Sequence, residues 1–172
     1  MRIVSSVSGE DRATLTVGDA APEFELPMLL KGVKGRFRFG EWVEKQNMVL
    51  VFYPLNWDDA CARQVVEYQA QREKYVALGA EFVTVSVDSI MNTTAWEREL
   101  GPFDFPMCSD FWPHGEVCRR YGMLREGGPD QGTADRALFV VDRKKRIRFH
   151  KSWSTQDTSL SDVLKVLQEI QS

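Results

Sequence analysis

The chain has little cysteine, and none of it in a pair of the CxxC kind. Cys61, Cys108 and Cys118 are the three it carries in 172 residues. An odd number with these spacings excludes a disulfide-rich scaffold and a standard zinc module. A metal site from Cys108, His114 and Cys118 matches no established ligand spacing. The missing CxxC also argues against a disulfide reductase of the thioredoxin kind. No apolar run approaches the roughly 20 residues that cross a membrane, and the first residues, MRIVSSVSGEDRATLT, lack the apolar core of a secretory signal. The expected location is therefore the cytoplasm, where structural disulfides are rare. There is no excess of positive charge: the formal net charge is −3, which argues against nucleic acid as a partner. The basic run Arg143–Arg146 reads as a solvated hairpin tip. Internal repeats and low-complexity tracts are absent as well.

What remains is an ordinary globular composition, 43% hydrophobic and 27% charged, long enough for one domain with a sizeable core. Residues 1–16 are polar and aperiodic and read as a flexible arm, leaving 17–172 as the domain. MVLVFYP (Met48–Pro54) and EFVTVSVDS are continuous apolar runs of strand length, as in strands buried on both faces. A short alternating strand is expected at Arg36–Phe39. Between Asp58 and Leu78 there is neither Pro nor Gly, and Cys61, Val65, Tyr68, Arg72 and Tyr75 recur at helical spacing until Gly79 stops the helix. NTTAWEREL predicts a short helix begun by Asn92 or Thr93, and PHGEVCRRYG another, ended by Gly122. RALFVVD and RIRFHKSW read as a hairpin turning at DRKK. Thr158–Ile170 is an amphipathic closing helix with Leu160, Val163, Leu164 and Leu167 inward. Strands alternating with helices, then a late hairpin, give an α/β fold with a mixed central sheet flanked by helices.

Within FYPLNWDDACARQ, Cys61 falls in the first turn of a helix that follows a buried strand. Free backbone N–H groups and the helix dipole favour a thiolate there, and the thiolate is the nucleophile. A buried structural cysteine is the competing reading. Two acids, Asp58 and Asp59, stand just upstream, where a helix wants a cap. Capping is the first expectation for Asp59, or else a solvated first-turn acid.

The same stretch resembles the peroxiredoxins, thioredoxin-fold thiol peroxidases whose motif is Pro-x-x-x-(Thr/Ser)-x-x-Cys. Pro54 and Cys61 have that spacing. VGDAAPEFEL near the start, the strand ending in SVD at Asp88, and Arg136 in ADRALFVVD also match. FPMCSDFWPHGEVCRRYGM is similar to the one-cysteine group related to alkyl hydroperoxide reductase E. The similarity runs from about Val17 to Phe149. It implies reduction of hydrogen peroxide or small alkyl hydroperoxides through a sulfenic acid on Cys61. Arg136 would orient the peroxide and Pro54 would shape and shield the pocket. No metal or organic cofactor is implied. Electrons would come from thioredoxin, a glutaredoxin-like protein or a low-molecular-weight thiol, and the chain would form a homodimer.

Asp58 departs from the family's Thr or Ser. Two like charges ~4 Å apart at an effective dielectric of ~20 repel by about 4 kcal/mol, against the ~0.3–1 kcal/mol that a helix terminus usually returns. An ionised Asp58 aimed at Cys61 would thus keep the thiol protonated. Three arrangements are open: pairing with Arg136 or Arg63, a protonated carboxyl that donates as the hydroxyl does, or turning away to cap the helix. If activity was lost with the hydroxyl, the chain would be a redox sensor or binding protein on the same fold. Trp57 replaces a more common Phe and could narrow the pocket. Gln64 replaces a frequent Glu, so its arginine partner would be held less firmly. Cys118 is a possible resolving cysteine or a buried helix residue beside Tyr121, and Cys108 reads as core. Phe111 and Trp112 could belong to the core, a substrate mouth or a dimer contact.

Overall fold

A computed structural model describes residues 15–152 and 160–171. Seven strands form one mixed sheet: β1 (Glu25–Leu30), β2 (Val33–Arg38), β3 (Asn47–Phe52), β4 (Ala80–Ser86), β5 (Met107–Ser109), β6 (Ala137–Val141) and β7 (Ile147–Ser152). Their spatial order is β2-β1-β5-β4-β3-β6-β7. β4 runs parallel to β3 and β5, while β6 lies antiparallel to β3.

Alternation along the central strand divides the interior. Met48, Leu50 and Phe52 join one apolar cluster, and Val49, Val51 and Tyr53 the other, so the two clusters occupy opposite faces of the sheet. The second face is covered by α2 (Asp59–Ala77), α3 (Ile90–Leu100) and α5 (Ser161–Gln171) through Val65, Tyr68, Tyr75, Trp96, Val163 and Leu167. The first face is covered by α1 (Phe39–Val43) and α4 (Glu116–Arg120) through Phe39, Val43, Val117 and Cys118. Leu164, expected inward with its neighbours on α5, is partly buried.

α2 forms because nothing in its 19 residues breaks it, and because Val65, Tyr68 and Tyr75 bury one stripe. Gly79, at φ +75°, ends it. Several boundaries differ from expectation. Arg36–Arg38 belongs to a longer strand, β2, that pairs residue by residue with β1, and Phe39 already begins α1. β1 holds Pro27, which obscured it. Its pairing with β5 involves Met28 and Leu29 alone, so Pro27 lies beyond the stretch bonded on both sides. α3 starts two residues before Asn92. Its cap is Ser89, whose Oγ accepts the Asn92 N–H at 3.2 Å, because a short hydroxyl at that offset satisfies the free amide.

Of the expected arm, residues 1–14 lie outside the described residues, as do Thr158 and Ser159 of the closing helix. Leu15 packs on the first cluster and the Thr16 N–H donates to Asp19 Oδ2 at 2.9 Å. Phe111 and Trp112 are exposed, Trp112 at 79%, so neither is core. No helix among the described residues is long and apolar enough to cross a membrane.

Candidate active site

β3 and β4 end side by side, and the loop from Tyr53 to Asp58 leads from β3 into α2. Asp58 is extended (φ −86°, ψ 132°) and caps α2, its Oδ2 accepting the Cys61 N–H at 3.0 Å. Asp59 therefore does not cap. It is the first helical residue, an exposed acid whose charge favours the positive end of the helix dipole. Cys61 sits two residues further in and is fully buried.

Arg136 immediately precedes β6. The antiparallel register pairs Phe52 with Ala137, which brings the start of β6 to the end of β3. Leu138 and Val140 point to the same face as Cys61, and Arg136, two residues before Leu138, shares that side. Its Nη1 lies 3.5 Å from Cys61 Sγ and also donates to Gln64 Oε1. Gln64 is fully buried and passes its own Nε2–H to Tyr68 Oη at 2.6 Å. The Gln64 amide thus serves as an acceptor for the guanidinium. A neutral carbonyl oxygen accepts from arginine well, and the buried Tyr68 fixes which end of the amide faces it. Burial pushes the Tyr68 hydroxyl up, so it stays protonated.

Asp58 takes two of the three open arrangements at once. It caps α2, and its Oδ2 lies 3.9 Å from Arg136 Nη2. Partial burial works against its ionisation, but the Cys61 amide and thiol, the Arg136 guanidinium and the Ala60 amide outweigh it and lower its pKa. The carboxyl is an anion at neutral pH, so it does not donate as a hydroxyl would. At Cys61 the balance runs the other way. Burial raises the thiol's pKa, the Leu55 N–H and Arg136 lower it, and the Asp58 charge raises it again. The net shift is upward. Desolvation of this fully buried residue, together with the Asp58 charge, outweighs the amides and the guanidinium, the direction expected for an ionised Asp58 aimed at Cys61.

Pro54 is half-buried at the bend that ends β3. Trp57 does not fold over the sulfur: it is 52% exposed, and its indole N–H donates to Asn92 Oδ1 at 2.9 Å. Cys118 and Cys108 belong to the cluster on the other face of the sheet. Cys118 donates its backbone N–H to Asp110 Oδ2 at 2.8 Å, and burial together with Asp110 raises its thiol well above the ordinary value. Burial does the same to Cys108. Among the described residues no group of three or more His, Cys, Asp or Glu could hold a metal ion.

Sequence reasoning missed Tyr68 as the support of Gln64, although the two stand four apart on the helix, a spacing that places side chains in contact. It also missed the Leu55 amide and Asn56, for which no periodic signal exists.

Comparison with known proteins gives a consistent picture. Residues 17–150 match the model of the AhpC/TSA family. Alkyl hydroperoxide reductase E of Mycobacterium tuberculosis is 33% identical over 141 residues, covering 78% of this chain and 84% of that protein. Peroxiredoxin-2 of Mus musculus is 30% identical over 138 residues, covering 77% and 67%. Among solved structures, Mycobacterium tuberculosis AhpC superposes with a TM-score of 0.79 at 25% identity, covering 92% of this chain and 94% of that one. With its sheet, its buried cysteine and these relatives taken together, the chain belongs to the AhpC/TSA family and is a peroxiredoxin, an enzyme of thiol-dependent peroxide reduction.

Proposed function

We propose that Cys61 is the attacking residue and Arg136 the group that receives the peroxide. The observation that carries this is the 3.5 Å approach of Arg136 Nη1 to Cys61 Sγ, with the guanidinium anchored from behind by Gln64. The Cys61 thiolate attacks the terminal oxygen of ROOH, where R is hydrogen or a small alkyl group. A sulfur–oxygen bond forms as the O–O bond breaks, and sulfur is oxidised by two electrons to the sulfenic acid. The alkoxide leaves and takes up a proton as ROH. Arg136 is always charged and presents several donors in one plane, which suits it to the charge developing on the parting oxygens. The Leu55 amide, which faces the same sulfur, adds a second donor. Pro54 rigidifies the bend that carries these donors. Asp58 sets the charge of the site by facing both Arg136 and Cys61.

Reduction of the sulfenic acid takes two thiols, giving water and a disulfide and returning Cys61 to the thiol. Cys118 and Cys108 are buried on the opposite face, which supports an external reductant such as thioredoxin, a glutaredoxin-like protein or a low-molecular-weight thiol. A homodimer in the cytoplasm completes the reading, supported by family likeness and by cysteine usage of the reducing kind. The reading of a non-peroxidase sensor is not favoured, because Arg136 still reaches the sulfur despite Asp58.

The test is reduced protein mixed with stoichiometric hydrogen peroxide, followed by tryptophan fluorescence and by labelling of the sulfenic acid. Oxidation of Cys61 is expected to be saturating and far faster than that of free cysteine at the same pH. Arg136→Ala is expected to slow it by about 10²–10³-fold, the usual cost of removing one charge-stabilising donor. Wild-type oxidation no faster than free cysteine, or an unchanged rate in Arg136→Ala, sinks this assignment.

A further inference from the structure

The loop that carries Leu55 and Asp58 contains an unusual backbone. Trp57 has φ +69°, a left-handed conformation that a bulky residue adopts only where its surroundings enforce it. The enforcing contacts are visible. The Trp57 indole N–H and the Asn56 Nδ2–H both donate to one atom, Asn92 Oδ1, at 2.9 and 3.1 Å. Asn56 is almost fully buried, and every polar group of its side chain is used: Nδ2 also donates to Thr93 Oγ1 at 2.9 Å, and Oδ1 accepts the Tyr53 hydroxyl at 2.6 Å. Its backbone N–H donates to Asp88 Oδ2 at 2.8 Å, an oxygen that also accepts from Ser86 Oγ at 3.0 Å. Asn92 is itself fixed at the start of α3 by the Ser89 cap. The loop from Tyr53 to Asp58 is thereby tied, through two asparagines, to a helix more than thirty residues away.

We propose that Asn56 and Asn92 are positioning residues for peroxide reduction, clamping the loop against α3 so that Trp57 keeps its left-handed turn and the Leu55 amide and Asp58 stay aimed at Cys61. Neither asparagine touches the sulfur. Their effect passes through the backbone: with Trp57 left-handed, Asp58 emerges extended in the capping conformation, and the amide two residues before Trp57 faces Cys61. Release of the clamp lets Trp57 relax to negative φ, which swings the preceding peptides and misplaces the donor. This inference rests on the assignment of Cys61 as the attacking residue.

The experiment compares two reactions of the same sulfur. Reduction of peroxide needs the placed donors, whereas alkylation by iodoacetamide needs only the thiolate. In Asn92→Ala the rate with hydrogen peroxide per thiolate is expected to fall by about ten- to a hundredfold, the scale of a small misplacement in a preorganised site, while the alkylation rate per thiolate, with the thiolate read by its absorbance at the same pH, holds. Asn92→Asp keeps the accepting oxygen and is expected to restore the wild-type ratio. Trp57→Phe, which removes the indole N–H together with the five-membered ring while leaving both asparagines, is a second route to the same loss. Equal changes in both reactions, or an Asp variant no better than Ala, overturn the inference even if the wild-type enzyme is fast. Slow wild-type oxidation would instead reject the assignment of Cys61, and the inference with it.

Discussion

The Asp58 carboxylate accepts the backbone N–H of Cys61 at 3.0 Å while its charge faces the thiol of that same residue. One contact thus stabilises the start of α2 and opposes ionisation of the nucleophile. The enzyme's pH behaviour follows from this double role.

Oxidation of Cys61 is expected to climb with pH through neutrality and past the ordinary thiol value, since burial and Asp58 raise its pKa. Asp58→Asn keeps a capping oxygen and removes the charge. The carboxylate is 50% exposed and screened by solvent, so the gain is modest: a pair of this kind is worth up to ~1 kcal/mol, about a fivefold rise in rate at neutral pH. The gain shrinks at high salt. Stopped-flow rates across pH, with thiolate absorbance in parallel, check this, and a variant whose profile coincides with wild type refutes it. The two shifts also set opposite limits on stability. Asp58 has a lowered folded pKa, so its contribution is complete above the ordinary carboxyl value and is lost as pH falls through the folded one. Cys61 has a raised one, so its contribution is complete below the ordinary thiol value and is lost as pH rises through the folded one.

Gln64 bridges Arg136 and Tyr68 with both ends of its amide. Gln64→Leu leaves the buried Tyr68 hydroxyl without its donor, which costs about 1–3 kcal/mol, and takes one acceptor from Arg136, which keeps Asp58. The expected result is a lower midpoint in urea together with slower peroxide oxidation. Gln64→Glu keeps an acceptor for Arg136 but buries a second carboxylate near the sulfur, so it slows oxidation at neutral pH. Adding Asp58→Asn is expected to offset part of that loss, because each charge raises the energy of the same thiolate in its own right. An unchanged rate on adding Asp58→Asn would show that the Asp58 charge does not act on this sulfur.

Cys118 packs among apolar side chains across the sheet from Cys61. Cys118→Ala is expected to leave turnover with an external thiol unchanged and to lower stability by about 1 kcal/mol, the scale of removing one small buried group. Mass spectrometry of peroxide-treated wild type is expected to show no bond between Cys61 and Cys118. Its appearance in good yield would restore Cys118 as the resolving thiol.

Much of this architecture was legible in the sequence. The runs that became β3 and β4 announce burial by composition alone, and the uninterrupted stretch after Asp58 announces α2. The meeting of Cys61 with Arg136 was legible only through family likeness, since 75 residues separate them. Short or interrupted elements were not legible: α1 is too brief for a period to show, and β1 carries Pro27. Nor was the state of the thiol. A helix N-terminus suggests an acidic cysteine, but the burial that reverses the sign is supplied by β3, β6 and α2 together. The Asn56–Asn92 tie escaped for a similar reason, because a hydrogen bond between distant loops leaves no mark on local composition.

The register that sets Phe52 against Ala137 has a further implication for how this enzyme can vary. Arg136 stands one step outside that last rung, so its place is decided by the ladder and not by the length of chain that leads into it. Insertions between Gly122 and Asp135 can lengthen the approach without moving the guanidinium. A slip of one rung between β3 and β6 would turn Arg136 through the sheet to the side of Cys118 and leave the sulfur without its cation.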